Sequence, residues 1–559
     1  MIIFAHKRYL KFRFYRCFMK PKPNSNFVFV TGGVMSGLGK GTSMASLGRD
    51  LQSKGYNVTA IKIDPYYNVD AGTMNPVEHG EVWVTEDGGE TDLDLGNYER
   101  FLDKNLSKHH NITSGQVLYE VLRKERMGDF LGRTVESIPH VTNEVKKRIR
   151  QVAEKEKPDI TLVEIGGTVG EQQNEIFYRA GRLMKNEGDN VTFVHVSYLP
   201  VPPHLGEMKT KPTQQSVQML GALGIQPDFI VCRAPQPVDD KRKEKISTFC
   251  NVPKENIISN PDLENKYELP LLFEEQHFGD KVLKTFGLKP KKTNLEDWRR
   301  FIERTKTLED KTKIGIVGKY FATGDFSLPD AYISVIEAVK HAAWNNDRKP
   351  EVMGINSDDF EGNKSKLSVL DSCDGIIVPG GFGNRGIEGK INAINYTREN
   401  DIPFLGICLG MQLAVVEHAR NNCCLEKAHS TELDPDTPHP VIDFIPKQRD
   451  IIKKSEYGGT MRLGAYPAIL KKGTLVRKLY GKEKVSERHR HRWEVNPKYV
   501  GRLERDGLVF SGKSPDGVLM EFMELSNHPY FVGTQAHPEF KSRPMKPAPL
   551  FDGLIKASI

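Results

Sequence analysis

Asn26-Phe27-Val28-Phe29-Val30 runs into Thr31-Gly32-Gly33-Val34-Met35-Ser36-Gly37-Leu38-Gly39-Lys40-Gly41-Thr42. A helical stretch from about Ser43 to Lys54 follows, and then Val58-Thr59-Ala60-Ile61-Lys62-Ile63-Asp64. A short apolar strand, a Gly-rich turn, a helix and a second apolar strand make a βαβ unit, which requires a parallel sheet. The strand candidates 160–164, 191–196 and 229–232 are again short apolar runs separated by helical stretches. That is the pattern of a doubly wound sheet buried on both faces.

The pattern restarts further on, with strands expected at 313–318, 375–379 and 403–407. Between the two halves, Gly287-Leu288-Lys289-Pro290-Lys291-Lys292-Thr293 leads into a charged helix from Leu295 to Lys311, which reads as a linker. The expected fold class is therefore α/β, with two doubly wound, mainly parallel domains. The expected boundaries are an extension at 1–25, a first domain at 26–285, a linker at 286–312 and a second domain at 313–559. A chain of 559 residues is too long for one core at about 150 residues per domain.

The formal net charge of +7 suggests nucleic-acid binding until its source is located. Seven basic residues (Lys7, Arg8, Lys11, Arg13, Arg16, Lys20, Lys22) fall in the first 22 positions, and the remainder balances at 73 basic against 73 acidic. No basic patch is implied for the body, so no nucleic-acid partner is expected. The leader MIIFAHKRYLKFRFYRCF lacks the apolar stretch and cleavage site of a secretory signal, and reads first as translation upstream of a start at Met19, then as a disordered tail, and last as a targeting segment. No apolar run approaches the roughly 18 residues of a membrane span. The seven cysteines are scattered without disulfide or metal spacing, which fits a reducing cytoplasm.

Leu405-Gly406-Ile407-Cys408-Leu409-Gly410-Met411-Gln412 carries the sharpest chemistry. A strand meets a helix at Gly-x-Cys-x-Gly, a nucleophile elbow with Cys in place of Ser. The glycines allow a tight, strained turn. The helix N-terminus favours thiolate, and backbone amides after Cys408 can form an oxyanion hole. Downstream, His537-Pro538-Glu539 follows a strand at 530–533. In extended backbone, residues two apart point the same way, so Glu539 can orient His537, and His537 can take the proton from Cys408.

The first half carries a second chemistry. Gly37-Leu38-Gly39-Lys40-Gly41-Thr42 is a variant phosphate loop, with Gly41 displacing the usual hydroxyl to Thr42. Backbone amides and a helix N-terminus would cradle phosphate there, with Lys40 neutralising its charge. Lys62 ends the next strand. Glu86-Asp87-Gly88-Gly89-Glu90-Thr91-Asp92-Leu93-Asp94 is an acidic loop, and Glu164 closes a strand before Gly166-Gly167-Thr168. Mg²⁺ takes one or two carboxylates plus phosphate oxygens, which makes Asp94 and Glu164 the metal candidates.

The elbow, the distal His-Pro-Glu and Pro379-Gly380-Gly381-Phe382-Gly383 together resemble the class I glutamine amidotransferases. The runs TGGVMSGLGKG (31–41), KIDPYYNVDAGTMNPVEHGEVWVTEDGGETDLDLGNYERF (62–101), LVEIGGTVG (162–170), KTKPTQQSV (209–217), GGTMRLGA (458–465) and ERHRHRWEVN (487–496) resemble the CTP synthase family from about residue 26 to 552. The resemblance implies ATP-dependent amination of UTP to CTP with ammonia from glutamine, using Mg²⁺. It also implies activation by GTP, feedback inhibition by CTP, and a homotetramer; filament formation alongside catalysis stays open.

Carried over by position, the resemblance puts Lys40, Lys62, Cys408, His537 and Glu539 in catalysis. ATP falls to Gly37, Leu38, Gly39, Lys40, Gly41, Thr42 and Asp94, with Pro261, Asp262 and Leu263 by the adenine. UTP or CTP falls to Ser36, Glu171, Gln172, Gln173, Lys209, Thr210, Lys211, Pro212, Thr213, Gln214 and Lys245. Glutamine falls to Gly381, Leu409, Gly410, Met411, Gln412, Glu432 and Arg492, and the GTP-responsive lid to Arg385–Gly389. Two departures stand out. Glu171-Gln172-Gln173 replaces the Asp-Ile-Glu of many members, losing one charge where CTP is contacted. The stretch 321–328 is longer than in some members. A different ATP-dependent ligase, or a nucleotide-binding assembly protein related to partitioning ATPases, are the rival readings. KTKPTQ and the Lys40/Lys62 pairing oppose the first; retention of Cys408, His537 and Lys40 opposes the second.

Overall fold

The computed structural model describes residues 25–559 apart from 324–325, 328, 363 and 445–457. The basic leader, and part of the 321–328 insertion, lie outside the described residues.

The first sheet has seven strands: β1 (Asn26–Gly32), β2 (Val58–Asp64), β3 (Asn111–Thr113), β4 (Ile160–Ile165), β5 (Asn190–Tyr198), β6 (Phe229–Ala234) and β7 (Ile257–Pro261). Their order is β3-β2-β4-β1-β5-β6-β7, and every pairing is parallel. β1, β2 and β4 are buried along their whole length, as continuous apolar runs covered by helices on both faces must be. The helix after the Gly-rich turn spans Lys40–Ser53, three residues earlier than periodicity places it. Left-handed Gly39 (φ 72°) serves as its N-cap, so the helix starts directly on the lysine.

The second sheet has nine strands: β8 (Lys311–Gly318), β9 (Lys349–Asn356), β10 (Gly375–Val378), β11 (Phe404–Ile407), β12 (Arg462–Leu470), β13 (Lys484–His491), β14 (Leu508–Lys513), β15 (Met520–Leu525) and β16 (Phe531–Thr534). In the order β9-β8-β10-β11-β16-β15-β14-β12-β13, the first five strands are mutually parallel and the rest antiparallel. The antiparallel half places β13, an edge strand of this sheet, beside the first domain.

The segment read as a linker is a core element. Its helix, Glu296–Lys306, buries Trp298 and Ile302. The Trp298 indole donates to the Tyr267 carbonyl at 2.7 Å, and the Tyr267 hydroxyl donates to Glu337 of the second half at 2.7 Å. One apolar cluster holds Trp298 and Ile302 together with Trp344 and Phe540 from the second half. The composition looked like a linker because the helix's outer face is charged; its inner face locks the two halves together.

Candidate active sites

The elbow differs from its sequence reading in which residue bears the strain. Gly406 and Gly410 keep ordinary backbone, whereas Cys408 itself sits at φ 52°, ψ −105°. The glycines are required by close approach. A Cβ on Gly410 would lie 1.9 Å from the Val378 carbonyl oxygen, and one on Gly406 would lie 2.8 Å from the Gly410 carbonyl carbon. β10, β11 and the helix Leu409–Asn421 thus converge where only hydrogen fits. Holding a Cβ-bearing residue at that φ costs on the order of 1–3 kcal/mol, which the packing around it sustains.

His537 Nδ1 lies 2.7 Å from Glu539 Oε1. The route to that contact is not an extended strand: β16 stops at Thr534, and Pro538–Lys541 is a turn of 3-10 helix with His537 at its N-cap. The tight turn brings the carboxylate back onto the ring. Burial opposes a charged imidazole, but Glu539 and Cys408 outweigh it and push His537 up to about 10. Its Nε2 has no hydrogen-bond partner among the described residues, and a Cβ on Gly380 would touch both the His537 ring (3.3 Å) and Cys408 Cβ (3.8 Å). Cys408, His537 and the Gly380 loop therefore enclose one reaction volume.

Gly381, Leu409, Gln412, Glu432 and Arg492 line the cavity holding Cys408, His537 and Glu539. Gly410 and Met411 do not: Met411 is fully buried in the core, and Gly410 packs on β10. Gln412 is engaged with the Trp493 carbonyl (2.9 Å) and with Gln535 (3.2 Å). Burial pushes the Glu432 carboxyl up to about 7, against the pull of Lys319 and Arg492. The sequence reading missed Lys319, Tyr320 and Lys390. Lys319 Nζ donates to Gly383 O at 2.6 Å and Lys390 Nζ to Pro379 O at 3.0 Å, while Tyr320 OH accepts from Phe382 N at 3.0 Å. Together they fix the 379–383 loop. Lys319, directly after β8, sat at a strand end where a polar residue is informative; Lys390, on a helix face, gave no signal. In the stretch expected to act as a lid, Gly386 and Gly389 are pinned against Ser357, where a Cβ would lie 2.2 Å from its hydroxyl oxygen or 1.9 Å from its carbonyl oxygen. Residues 387–389 begin a helix, Ile387–Glu399.

In the first half, the C-terminal ends of β1, β2 and β4 gather the phosphate-site candidates. Lys40 Nζ folds back to the Gly167 carbonyl at 2.8 Å. Lys62 is bonded to Asp94 and lies 3.5 Å from Asp64, 3.7 Å from Asp92 and 3.6 Å from Glu164. Burial would discharge Lys62, but these four carboxylates hold its pKa well above the ordinary lysine value. Lys40 is lowered, chiefly by burial. A Cβ on Gly41 would lie 2.5 Å from Asp94 Oδ1 and 3.3 Å from Glu164 Oε2. Two carboxylates thus converge on the start of the phosphate-loop helix. That is an all-oxygen donor set suited to Mg²⁺ once phosphate oxygens complete it. Among the described residues no cluster of three or more His, Cys, Asp or Glu is arranged for a metal.

Asn260, at the end of β7, donates to Ser43 Oγ at 3.0 Å, which sets Pro261, Asp262 and Leu263 beside the phosphate-loop helix. Glu171 is bound to Thr168, through its N (2.7 Å) and its hydroxyl (2.6 Å). A Cβ on Gly170 would lie 3.1 Å from Met219 of the helix Lys211–Ala222. The 171–173 and 209–214 stretches follow β4 and β5, the two strands that flank β1 at the centre of the sheet. Thr213 and Gln214 are buried and Ser36 exposed, while Lys245 is exposed with no hydrogen bond among the described residues.

Two family models match the chain: "CTP synthase N-terminus" over residues 26–288 and "Glutamine amidotransferase class-I" over residues 327–557. The CTP synthase of Methanocaldococcus jannaschii is 54% identical over 540 residues, 95% of this chain and 98% of that one. The CTP synthase of Thermococcus gammatolerans is 55% identical over 537 residues, 96% and 98% of the two chains. Among solved structures, the glutaminase domain of the Trypanosoma brucei CTPS with bound acivicin is 35% identical, covers 44% of this chain and 94% of that one, and superposes with a TM-score of 0.41. With both family models matched in order and relatives this similar along nearly their whole length, the chain belongs to the CTP synthase family.

Proposed function

We propose the following division of labour for the glutamine-dependent conversion of UTP to CTP in this chain. The glutaminase uses the Cys408 sulfur as nucleophile beside a His537 imidazolium, whose charge Glu539 favours at the far ring nitrogen. The sulfur attacks the carboxamide carbon of glutamine. His537 gives its proton to the departing ammonia, then takes one from the water that hydrolyses the glutamyl thioester. Glu432 and Arg492 hold the substrate's α-ammonium and α-carboxylate. The opposite wall of the cavity is built by Pro76, Glu81 and Val82 of the first half, so ammonia is released against the synthetase.

At the phosphate site, Lys40 and Lys62 stabilise the γ-phosphoryl as it passes from ATP to the 4-oxygen of UTP, and ammonia then displaces phosphate. Lys62 acts as a fixed positive charge, since its carboxylate neighbours keep it protonated. Asp94 and Glu164 would hold Mg²⁺, which when bound neutralises phosphate charge. Pro261–Leu263 meet adenine; Ser36, Glu171–Gln173, Lys209–Gln214 and Lys245 serve the pyrimidine nucleotide, CTP inhibition included. GTP activates at the Arg385–Gly389 segment, and the working unit is a homotetramer. A free thiolate nucleophile requires a reducing compartment, and we place the enzyme in the cytoplasm.

The observation that carries this reading is the joining of a Cys-His-Glu site to a two-lysine, two-carboxylate phosphate site across two halves in direct contact. CTP formation from UTP, ATP and Mg²⁺, followed by absorbance, tests it with glutamine or ammonia as donor and with or without GTP. Cys408→Ala is expected to lose glutamine-supported synthesis and keep ammonia-supported synthesis. Loss of both in a folded variant would refute the two-site division.

A further inference from the structure

The ERHRHRWEVN run is not exhausted by the glutaminase. Its first residues form the end of β13, an edge strand of the second sheet, where side chains alternate between faces. His489 and His491 turn into the glutaminase, 3.5 Å from Glu521 and 3.4 Å from Glu494. Arg488 and Arg490 turn the other way, into the first half. Arg488 bonds Glu86 (3.0 Å), the Val84 carbonyl (3.0 Å) and Glu99 (2.8 Å), and Arg490 bonds Glu90 (2.8 Å) and the Gly72 carbonyl (3.1 Å).

The main chain of the same two residues serves the glutaminase. Arg488 O accepts from His537 N at 2.8 Å, and Arg490 O faces the Cys408 sulfur at 3.8 Å. Each arginine therefore touches a glutaminase catalytic residue with its backbone and the first half with its guanidinium, and the Arg490 guanidinium also stacks on Phe382, 4.9 Å from the ring centroid, where it lines the glutaminase cavity.

The two arginines differ in what they hold. Arg488 is fully buried, and its partner Glu99 is also held by Arg543 at 2.7 Å; this is fixed framework. Arg490 holds Glu90, on the hairpin Trp83–Val84/Glu90–Thr91. Glu90 is 3% exposed, and its second oxygen has no hydrogen-bond partner among the described residues. Four residues on stands Asp94, bonded to Lys62. The hairpin also meets β12 backbone to backbone: Ala465 N donates to Glu86 O at 2.9 Å, and a Cβ on Gly464 would lie 2.7 Å from Gly88 N. Glu90 and Asp94 thus belong to one short segment, held at one end by Arg490 and at the other by Lys62.

We infer that Arg490 is a positioning residue that couples the two active sites, tying the Glu90–Asp94 segment of the phosphate site to the strand that backs Cys408. The inference rests on the two-site reading above. Coupling between sites is reciprocal and typically about 5- to 150-fold in strength.

The test uses the full chain and measures four quantities in wild type, Arg490→Gln, Arg490→Lys and Glu90→Gln. These are basal glutamine hydrolysis, its stimulation by ATP plus UTP, ammonia-supported CTP synthesis, and glutamate released per CTP formed. In Glu90→Gln, which leaves the glutaminase cavity untouched, we expect both half-reactions to stay within about twofold of wild type. In both Gln variants stimulation should fall at least about fivefold, and glutamate should exceed CTP. Arg490→Lys, which keeps the charge, should recover part of the coupling. Normal stimulation and stoichiometry in either Gln variant would overturn the inference. So would a parallel fall of both half-reactions in Glu90→Gln, the near-isosteric variant, since that marks a merely structural pair. A wild type that makes no CTP from ammonia would instead refute the two-site reading.

Discussion

Gly410→Ala is expected to disable the glutaminase while sparing the synthetase, by displacement alone. The new Cβ would lie 1.9 Å from the Val378 carbonyl oxygen, where real Cβ atoms do not come closer than about 3.0 Å. The partner is backbone in the middle of a parallel sheet, so it cannot swing aside. The start of the Leu409–Asn421 helix must retreat by about 1 Å, and Cys408 is its N-cap. A 1 Å misplacement of a reacting group costs on the order of 100-fold, and overpacking of this kind costs about 1–3 kcal/mol of stability. The assay compares glutamine-supported with ammonia-supported CTP formation, alongside a melting curve. We expect the first to drop about 100-fold or more, the second to stay near wild type, and the melting temperature to fall by a few degrees. A folded Gly410→Ala enzyme with normal glutamine hydrolysis would refute the close-approach argument for this glycine.

Three further outcomes are expected. Lys40→Ala should remove CTP synthesis from either nitrogen source by at least about 100-fold and leave basal glutamine hydrolysis; full synthesis would place the phosphates elsewhere. Glu432 must be ionised to hold the substrate ammonium, and burial pushes it up to about 7. The kcat/KM for glutamine hydrolysis should therefore fall as pH drops through about 7, and a flat profile between pH 6 and 8 would separate Glu432 from substrate binding. Cys408→Ala, read by the same two nitrogen sources, should be the most severe of the glutaminase variants.

Sequence alone determined that the first half is built on a parallel sheet, because a continuous apolar strand, a Gly-rich turn and a helix admit few other arrangements; the order of the strands came only from the structure. Sequence also singled out Cys408, His537, Lys40 and Lys62 as candidates for chemistry, because each stands at a strand end or elbow where a polar side chain has no packing reason to be. It did not determine how these residues are held. The strained backbone falls on Cys408 rather than on its glycines, and Glu539 reaches His537 through a 3-10 turn rather than an extended strand. Both follow from contacts between elements far apart in the chain. Charge pattern misrepresented the 286–312 segment, since a helix with a charged outer face and a buried tryptophan reads as a linker until its partners are known. The pairing of Arg488 and Arg490 with Glu86, Glu90 and Glu99 spans some 400 positions of sequence. Nothing in local composition specifies a partner at that distance; only the folding of an edge strand of one sheet against the hairpin of the other half brings those charges together.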